Sequence, residues 1–204
     1  MNSDIFVVID FEANCWNYKR KRKHINEIIE IGAVILKKED DNFIRLGEFT
    51  QTVKPLEDTI LSKFCRKLTG ITQKEVDQSK KFPIVFENFK NKIEEISGVK
   101  CNEITLVTWG NGDKKMLNRN CNLNKTTSPF TRYLNIDKWF ARFYGLEQSC
   151  TLRKALEMIG LEFVGEQHRA LNDALNTSII LEKMGVNLLP ENNFKKISAR
   201  QIQK

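Results

Sequence analysis

Residues 6–12 read Phe6-Val7-Val8-Ile9-Asp10-Phe11-Glu12, a run of β-branched and aromatic residues that ends in two carboxylates separated by one residue. This composition predicts a central β-strand. In an extended chain residues i and i+2 share a face about 7 Å apart, so Asp10 and Glu12 point the same way from the end of a buried element. Two carboxylates buried without a partner would lose their hydration and repel each other unless a cation or a shared proton lay between them.

The spacing of these two acids suggests a two-metal site. A pair of Mg²⁺ ions about 3.5 to 4 Å apart fits the separation of the two side chains, with carboxylates that bridge and flank the ions. The motif alone is weak evidence, because chance supplies roughly 0.7 Asp-x-Glu triplets in a chain of this acidic content. The alternative is a strand that enters a turn with both acids in solvent.

Length and cysteine usage indicate one domain in a reducing compartment. The chain has 204 residues, enough for one sizeable core, and we expect a single domain over 1–204 with its core at about 4–186 and a polar tail at about 190–204. The five cysteines are odd in number and widely spaced, which argues against a disulfide framework or a zinc site and predicts reduced thiols in a cytoplasmic protein. No apolar run approaches 18 residues, so neither export nor membrane insertion is expected.

Five of the positive charges stand in one block, Lys19-Arg20-Lys21-Arg22-Lys23, close after the paired acids, in a chain whose formal net charge is +7. A basic surface beside an acidic pocket suits a polyanion that must be drawn to a metal site. The alternative is a solvated hairpin loop.

The hydrophobic pattern predicts three antiparallel strands followed by two further strands, with helices between and after them. The second and third strands are predicted at 26–36 and 43–53, joined by a turn at 39–42. The nearly all-apolar segment 104–109 is typical of a strand buried in a parallel sheet, and a fifth strand is predicted at 133–136. Helices are predicted over 62–69, 72–77, 83–96, from 113 onward, 137–144, 151–159 and after 168, the last with the apolar stripe Leu171, Ala174, Leu175, Ser178 and Ile179.

Asp113 follows the predicted parallel strand and the break Gly110-Asn111-Gly112. The carboxyl edge of such strands is where open α/β sheets bind their ligands. The alternative is a bare N-cap, because Asp is among the best capping residues.

His168 and Asp173 are five residues apart, about 500° around a helix, so they could not converge from within one regular helix. We therefore place His168 on the loop before the last helix and Asp173 in its first turns. Because the chain has two histidines, roughly 0.1 His-x4-Asp motifs are expected by chance, which makes this motif more specific than Asp-x-Glu. The alternative is a structural histidine.

Four acids and one histidine, in the order Asp-x-Glu, Asp, His-x4-Asp, resemble the DEDDh 3′-5′ exonucleases of the ribonuclease H-like class. The resemblance spans Phe6 to about Met184. Further segments are similar to the branch that contains the histone-mRNA and RNA-interference-linked exoribonucleases and the bacterial KapD-type proteins. These segments are Val-Ile-Asp-Phe-Glu-Ala at 8–13, Asn-Glu-Ile-Ile-Glu-Ile-Gly at 26–32, Leu-Thr-Gly-Ile at 68–71, Val-Thr-Trp-Gly at 107–110 and His-Arg-Ala-Leu-Asn-Asp-Ala at 168–174.

The resemblance implies an α/β fold in which helices flank a mixed five-stranded sheet of three antiparallel strands and then two parallel strands. It also implies a hydrolase that releases nucleoside 5′-monophosphates from the 3′ end of single-stranded RNA, with DNA as the alternative substrate. It implies that Asp10, Glu12, Asp113 and Asp173 bind two metal ions and that His168 is the general base. It also implies a terminal-nucleotide pocket formed by Phe11, Ala13, Leu61 and Phe64. The chain is expected to depart from the eukaryotic members on the substrate side. We expect no nucleic-acid-targeting domain beside the catalytic one, and the paired Asp of those members is Asn172-Asp173 here.

The requirements of phosphodiester hydrolysis are consistent with a two-metal site, independently of the resemblance. Phosphodiester hydrolysis needs a hydroxide at neutral pH, neutralisation of the transition state and help for the departing 3′ oxygen, and two metals supply all three. Oxygen ligands favour Mg²⁺ or Mn²⁺ over Zn²⁺. Two other functions stay open: a catalytically silent protein that binds nucleic acid or a partner, and an endonuclease that cuts internally. The sequence does not identify protein partners.

Overall fold

The computed structural model describes residues 4–17 and 26–185. The basic block at 19–23 and the polar tail at 190–204 lie outside the described residues. The strands are β1 Ile5–Ala13, β2 Ile28–Glu39, β3 Asn42–Thr52, β4 Thr105–Thr108 and β5 Arg132–Asn135. The helices are α1 Lys63–Thr69, α2 Gln73–Gln78, α3 Phe82–Ser97, α4 Gly112–Leu123, α5 Ile136–Tyr144, α6 Leu152–Met158 and α7 Ala170–Met184, with a 3₁₀ turn at Cys101–Glu103 that the sequence pattern did not predict.

The five strands form one mixed sheet in the order β3-β2-β1-β4-β5. β1 pairs antiparallel with β2, and β2 pairs antiparallel with β3. β4 runs parallel to β1, and β5 runs parallel to β4. The predicted arrangement of three antiparallel strands and two parallel strands is therefore confirmed.

β1 is central because both of its faces are apolar enough to be covered. Val7 and Ile9 pack on one face with the phenylalanines of α3, and Val8 packs on the other face with residues of α5, α6 and α7. Since side chains alternate along a strand, Asp10 and Glu12 emerge on the same face as Val8. The two acids therefore face the layer that contains α7.

The buried face of α7 differs from the predicted apolar stripe. Its fully buried positions include Ala170, Ala174, Asn176, Thr177, Ser178, Ile180 and Leu181. The predicted stripe members Leu171, Leu175 and Ile179 are only partly buried. Small side chains face the sheet because the helix lies close to it, which apolar periodicity alone does not reveal.

Gly32 of β2 is the point of closest approach between α7 and the sheet. It pairs with Asp10 in the adjacent strand. A Cβ at Gly32 would lie 2.1 Å from the carbonyl carbon of Ala170, at the start of α7. The absent side chain therefore lets the first turn of α7 approach the strand that carries the acids.

Gly32→Ala is expected to lower the free energy of unfolding by about 1 to 3 kcal/mol or more, because the clash is with backbone and α7 must move. Urea denaturation of the two proteins measures this difference. Gly47→Ala on β3 is the matched control, since its added Cβ would meet only the end of the Ile96 side chain at 2.9 Å. Equal destabilisation by both substitutions would contradict the close-approach explanation.

Within residues 4–17 and 26–185, no helix has the length and apolar character needed to cross a membrane.

Candidate active site

Four carboxylates from three parts of the chain meet at the carboxyl ends of β1 and β4. Asp10 and Glu12 lie near the end of β1, Asp113 in the first turn of α4 and Asp173 in the first turn of α7. One carboxylate oxygen from each of Asp10, Glu12 and Asp173 lies within 4.8 Å of the other two. This spacing is close enough for the three to ligate one ion.

Asp113 joins the cluster through the backbone of β1. Helix α4 begins at Gly112, so Asp113 is its second residue and Asn111 occupies the cap position. The Phe11 N–H, between the two strand acids, donates to Asp113 Oδ1 at 3.2 Å. The carboxylate is therefore held toward β1, which a bare helix cap would not require.

Burial and neighbouring charges raise the pKa of every acid in this cluster. The pKa of Asp10 is held well above its ordinary value by burial and then by the charges of Asp113 and Asp173. Burial, followed by the charge of Asp173, raises the pKa of Glu12 to about 8. Burial raises the pKa of Asp113 to about 6 and also raises the pKa of Asp173. The cluster therefore retains protons near neutral pH unless a cation replaces them.

The metal-free protein is expected to lose thermal stability as the pH rises from about 5 to about 8. A carboxyl group whose pKa is higher in the folded than in the unfolded state binds its proton more tightly when folded, so the stability present at low pH is lost as the folded group ionises. Melting curves in a chelator over this range measure the effect. Glu12→Gln should flatten the profile, because it removes the group whose pKa is raised to about 8.

Glu147→Gln, which replaces an exposed acid after α5, is the control for that prediction. It should leave the pH profile of the metal-free protein as steep as that of the wild type. A wild-type melting temperature that is constant over this pH range would show that the cluster carries no excess charge repulsion.

His168 lies on the loop before α7, as the five-residue spacing predicted, and α7 begins two residues later. Its backbone has a φ of 64°, in the left-handed region that non-glycine residues rarely adopt. The His168 N–H donates to Asp173 Oδ2 at 2.8 Å, which ties the loop to a cluster acid. Its Nδ1 lies 3.9 Å from Glu12 Oε1, while 49% of the side chain is exposed. The imidazole thus sits at the edge of the cluster with access to water.

Glu30 of β2 is a residue at this site to which the sequence reasoning assigned no role. Its side chain is almost fully buried and accepts from Arg169 Nη2 at 2.6 Å, from Arg169 Nε at 3.2 Å and from the Ala170 N–H at 2.8 Å. These bonds fasten the beginning of α7 to the sheet, next to His168. A charged residue within an otherwise apolar strand was the available sequence signal, because an acid buried there needs a partner.

The four predicted pocket residues have different environments. Phe11 is 5% exposed and packs in the core on the sheet face opposite the acids, so its ring is not available for stacking. Leu61 is 2% exposed and Ala13 8%, whereas Phe64 is 38% exposed. Helix α1 abuts the end of β1, since Cys65 Sγ lies 3.7 Å from the Ala13 carbonyl oxygen. An open groove of about 750 Å³ beside α1 is lined in part by Leu61 and Phe64.

This fold and its acid cluster place the chain in the ribonuclease H-like class, whose similar structures are nucleases. The chain belongs to the Exonuclease family, which matches residues 7–181. A Bacillus subtilis protein named as a probable 3′-5′ exonuclease, KapD, is 35% identical over 179 residues. The match covers 86% of this chain and 82% of that protein. The nuclease domain of 3′hExo, described as a DEDDh family member and bound to rAMP, superposes with a TM-score of 0.78 at 33% identity, covering 89% of this chain and 92% of that chain. The predicted resemblance to the DEDDh exonucleases is confirmed.

Two human relatives extend well beyond the region that matches this chain. ERI1 exoribonuclease 2 and 3′-5′ exoribonuclease 1 are 33% and 35% identical, and each match covers 89% of this chain. The chain spans 28% of the first protein and 52% of the second. A further similar structure is described as a 3′-exonuclease that recognises the histone mRNA stem-loop, with a TM-score of 0.78 at 31% identity, covering 90% of this chain and 82% of that chain.

Proposed function

We propose that this protein is a metal-dependent 3′-5′ exoribonuclease that removes nucleoside 5′-monophosphates from the 3′ end of single-stranded RNA. The observation that carries the proposal is the convergence of Asp10, Glu12, Asp113 and Asp173, from three separate elements, beside His168. The relatives named as exoribonucleases support RNA as the substrate. We further propose one exonuclease domain over 1–204 and a cytoplasmic location, the latter supported by five free cysteines.

The residues of the cluster fit two Mg²⁺ or Mn²⁺ ions. All donors are carboxylate oxygens, which such ions prefer, and the raised pKa values show a site in which negative charge lacks compensation. Asp10, Glu12, Asp113 and Asp173 would hold the ions. When bound, the ions would neutralise the phosphate charge and make a bound water more acidic.

The protein's own groups then divide the remaining tasks. His168, at the exposed rim, takes the proton from the attacking water. The bond from the His168 N–H to Asp173 keeps the loop next to the cluster. Phe64 is exposed beside the groove, where its ring can stack on a terminal base. A paired 3′ end would have to unstack first, so single strands are the preferred substrate.

A time course with a 5′-end-labelled oligoribonucleotide tests the proposal. We expect a ladder that shortens from the 3′ end and depends on added divalent metal. Internal cuts would indicate an endonuclease, and binding without cleavage would indicate a catalytically silent protein. A matched DNA strand should be degraded no faster than the RNA strand.

The exposed face of α1 carries cations that can bind the RNA backbone. Lys63, Arg66 and Lys67 are exposed and form no ion pair with any other described residue. All three line a second open groove of about 460 Å³, and Lys63 and Lys67 also line the groove that contains Phe64. Glu57 and Asp58 line that larger groove as well, so the phosphate contacts are expected on the α1 side. Cations next to an exposed aromatic ring are typical of single-strand binding surfaces.

Replacing Lys63, Arg66 and Lys67 with Ala is expected to weaken RNA binding and to reduce its dependence on salt. Each lost phosphate contact lowers the slope of log K against log salt by about 0.7, so three contacts account for about 2. Binding to a catalytically inactive variant, measured over a range of salt concentrations, gives this slope. A parallel variant with Ala at 19–23 tests the basic block, and an unchanged slope there would show that the block is a solvated loop.

The matched control for the α1 variant replaces Arg119, Lys138 and Lys183 with Ala. These residues are exposed on α4, α5 and α7, and replacing them removes the same number of positive charges as the α1 variant does. A slope reduced equally by both triple variants would show that net charge, and not the α1 face, governs binding.

A further inference from the structure

Two cysteines that are 50 positions apart in sequence lie together beside the acid cluster. Cys15 follows β1, three residues after Glu12, and Cys65 is the third residue of α1. The Ser62 hydroxyl donates to the Cys15 carbonyl oxygen at 2.6 Å and accepts from the Cys65 N–H at 2.9 Å. One oxygen atom therefore bridges the backbones of the two cysteines and holds the loop after β1 against the start of α1.

The two side chains also meet. Cys15 packs against the small core cluster that contains Cys65, Leu61 and Ile71. The neighbouring Cys15 thiol lowers the pKa of Cys65 to about 7 although burial opposes the shift, and the Cys65 thiol donates to the Ala13 carbonyl oxygen at 3.7 Å. The same contact raises the pKa of Cys15. A thiol that ionises near neutral pH next to a protonated thiol is the arrangement that favours disulfide formation.

The other three cysteines lack such a neighbour. Cys101 and Cys121 are buried, as Cys65 is, and Cys150 is half-buried, as Cys15 is, so what distinguishes these three is that no thiol contacts them among the described residues. Burial raises the pKa of all three thiols. Selective oxidation at Cys15 and Cys65 therefore has a structural reason.

We propose that Cys15 and Cys65 are a modification site at which a peroxide forms a reversible disulfide. The Cys65 thiolate attacks the peroxide, an S–O bond forms as the O–O bond breaks, and the departing oxygen leaves as water or an alcohol after protonation. The Cys15 sulfur then attacks the Cys65 sulfenic acid, an S–S bond forms as the S–O bond breaks, and water leaves with the Cys15 proton. Two thiols are oxidised and one peroxide is reduced, and an external dithiol reverses the change.

The position of the two cysteines determines how an oxidant reaches them and how a disulfide between them would affect RNA binding. Cys65 is fully buried and Cys15 is half-buried, so a small oxidant reaches the pair from the Cys15 side. The open groove there is lined by Trp16 and Phe64, the chain neighbours of the two cysteines, and by Ser62, which carries the bridging hydroxyl. A disulfide would join the loop after Glu12 to α1 and fix the position of Phe64. We expect a raised KM for RNA, a consequence that rests on the proposed function, whereas formation of the disulfide does not.

Treatment of the full chain with hydrogen peroxide, followed by alkylation, proteolysis and mass spectrometry, tests the site directly. We expect a peptide pair that joins Cys15 to Cys65, a loss of two of the five free thiols, and full reversal by dithiothreitol. Cys15→Ser and Cys65→Ser should each abolish the crosslink. Cys150→Ser, which replaces a half-buried cysteine without a thiol neighbour, should retain it.

Two outcomes would overturn the site: alkylation of both Cys15 and Cys65 after a dose that oxidises Cys150, or sulfinic acid at Cys65 with Cys15 still free. Kinetics on RNA before and after treatment test the consequence. A KM that rises in the wild type, recovers with dithiothreitol and stays constant in Cys15→Ser supports it. A crosslink with an unchanged KM contradicts the effect on the pocket. A protein that crosslinks but never cleaves RNA refutes the proposed nuclease function and leaves the modification site established.

Discussion

Asp10→Asn is expected to abolish nuclease activity while the fold stays intact. Asp10 is the acid whose pKa is raised by the charges of all three other cluster acids and by burial, so it lies where their negative charges converge. A neutral amide would hold divalent cations much less tightly than the carboxylate that it replaces. The exonuclease time course at saturating Mg²⁺ or Mn²⁺ measures the loss, and titration of the metal shows whether a higher concentration restores activity.

The stability of the same variant separates a functional from a structural role. Because the neutral amide relieves repulsion within the cluster, Asp10→Asn should hold or slightly raise the melting temperature of the metal-free protein at neutral pH. Asp41→Asn is the control, since Asp41 lies in the turn between β2 and β3, at the opposite end of the sheet. A large loss of metal-free stability in Asp10→Asn would mean that Asp10 is structural.

His168→Ala is expected to lower kcat by about 10² to 10⁴ and to leave substrate binding and metal affinity nearly unchanged. The imidazole lies at the rim of the cluster, while its backbone N–H holds Asp173, a contact that any residue at position 168 retains. The loss should therefore reflect the missing proton acceptor. In the wild type, turnover should rise with pH and then flatten. The variant should lose the rising part of this pH profile or should recover activity at higher pH, where hydroxide is more abundant.

Two further variants make the test of His168 sharper. His168→Gly removes the imidazole and also relieves the backbone strain of a φ of 64°, so a kcat as low as that of the Ala variant would assign the effect to the side chain. His24→Ala replaces the other histidine in the sequence and should keep wild-type turnover. Wild-type turnover of His168→Ala at neutral pH would refute the assignment of His168 as the general base and would leave water activation to the metals alone.

Local patterns were sufficient for the order of elements and for naming the candidate residues, and the resemblance to the DEDDh exonucleases joined them in one site. The alternation in β1 places Asp10 and Glu12 on one face because side chains in a strand repeat every two residues. The nearly all-apolar run of β4 indicated a parallel strand, and Asp113 was a candidate because it follows that strand. The spacing of His168 and Asp173 excluded one helix and located the loop, because the helical repeat fixes which residues share a face.

Contacts between distant parts of the chain were decided by the tertiary structure. Phe11 reaches Asp113 across 102 positions, and Glu30 reaches Ala170 across 140. The small residues of α7 that face the sheet and the packing of Cys15 against the cluster that contains Cys65 are of the same kind. None has a local periodicity that could reveal it, since each depends on how layers pack after the elements have formed.

The sequence by itself therefore determined which residues are candidates for the site and on which face of an element each stands. The tertiary structure decided how close those residues lie and which groups hold them there. The physical reason is that the repeat of a strand or helix is set within a few residues, whereas the distance between two elements is set by the side chains between them. Gly32 shows the difference, because only the position of Ala170 against it explains why that residue has no side chain.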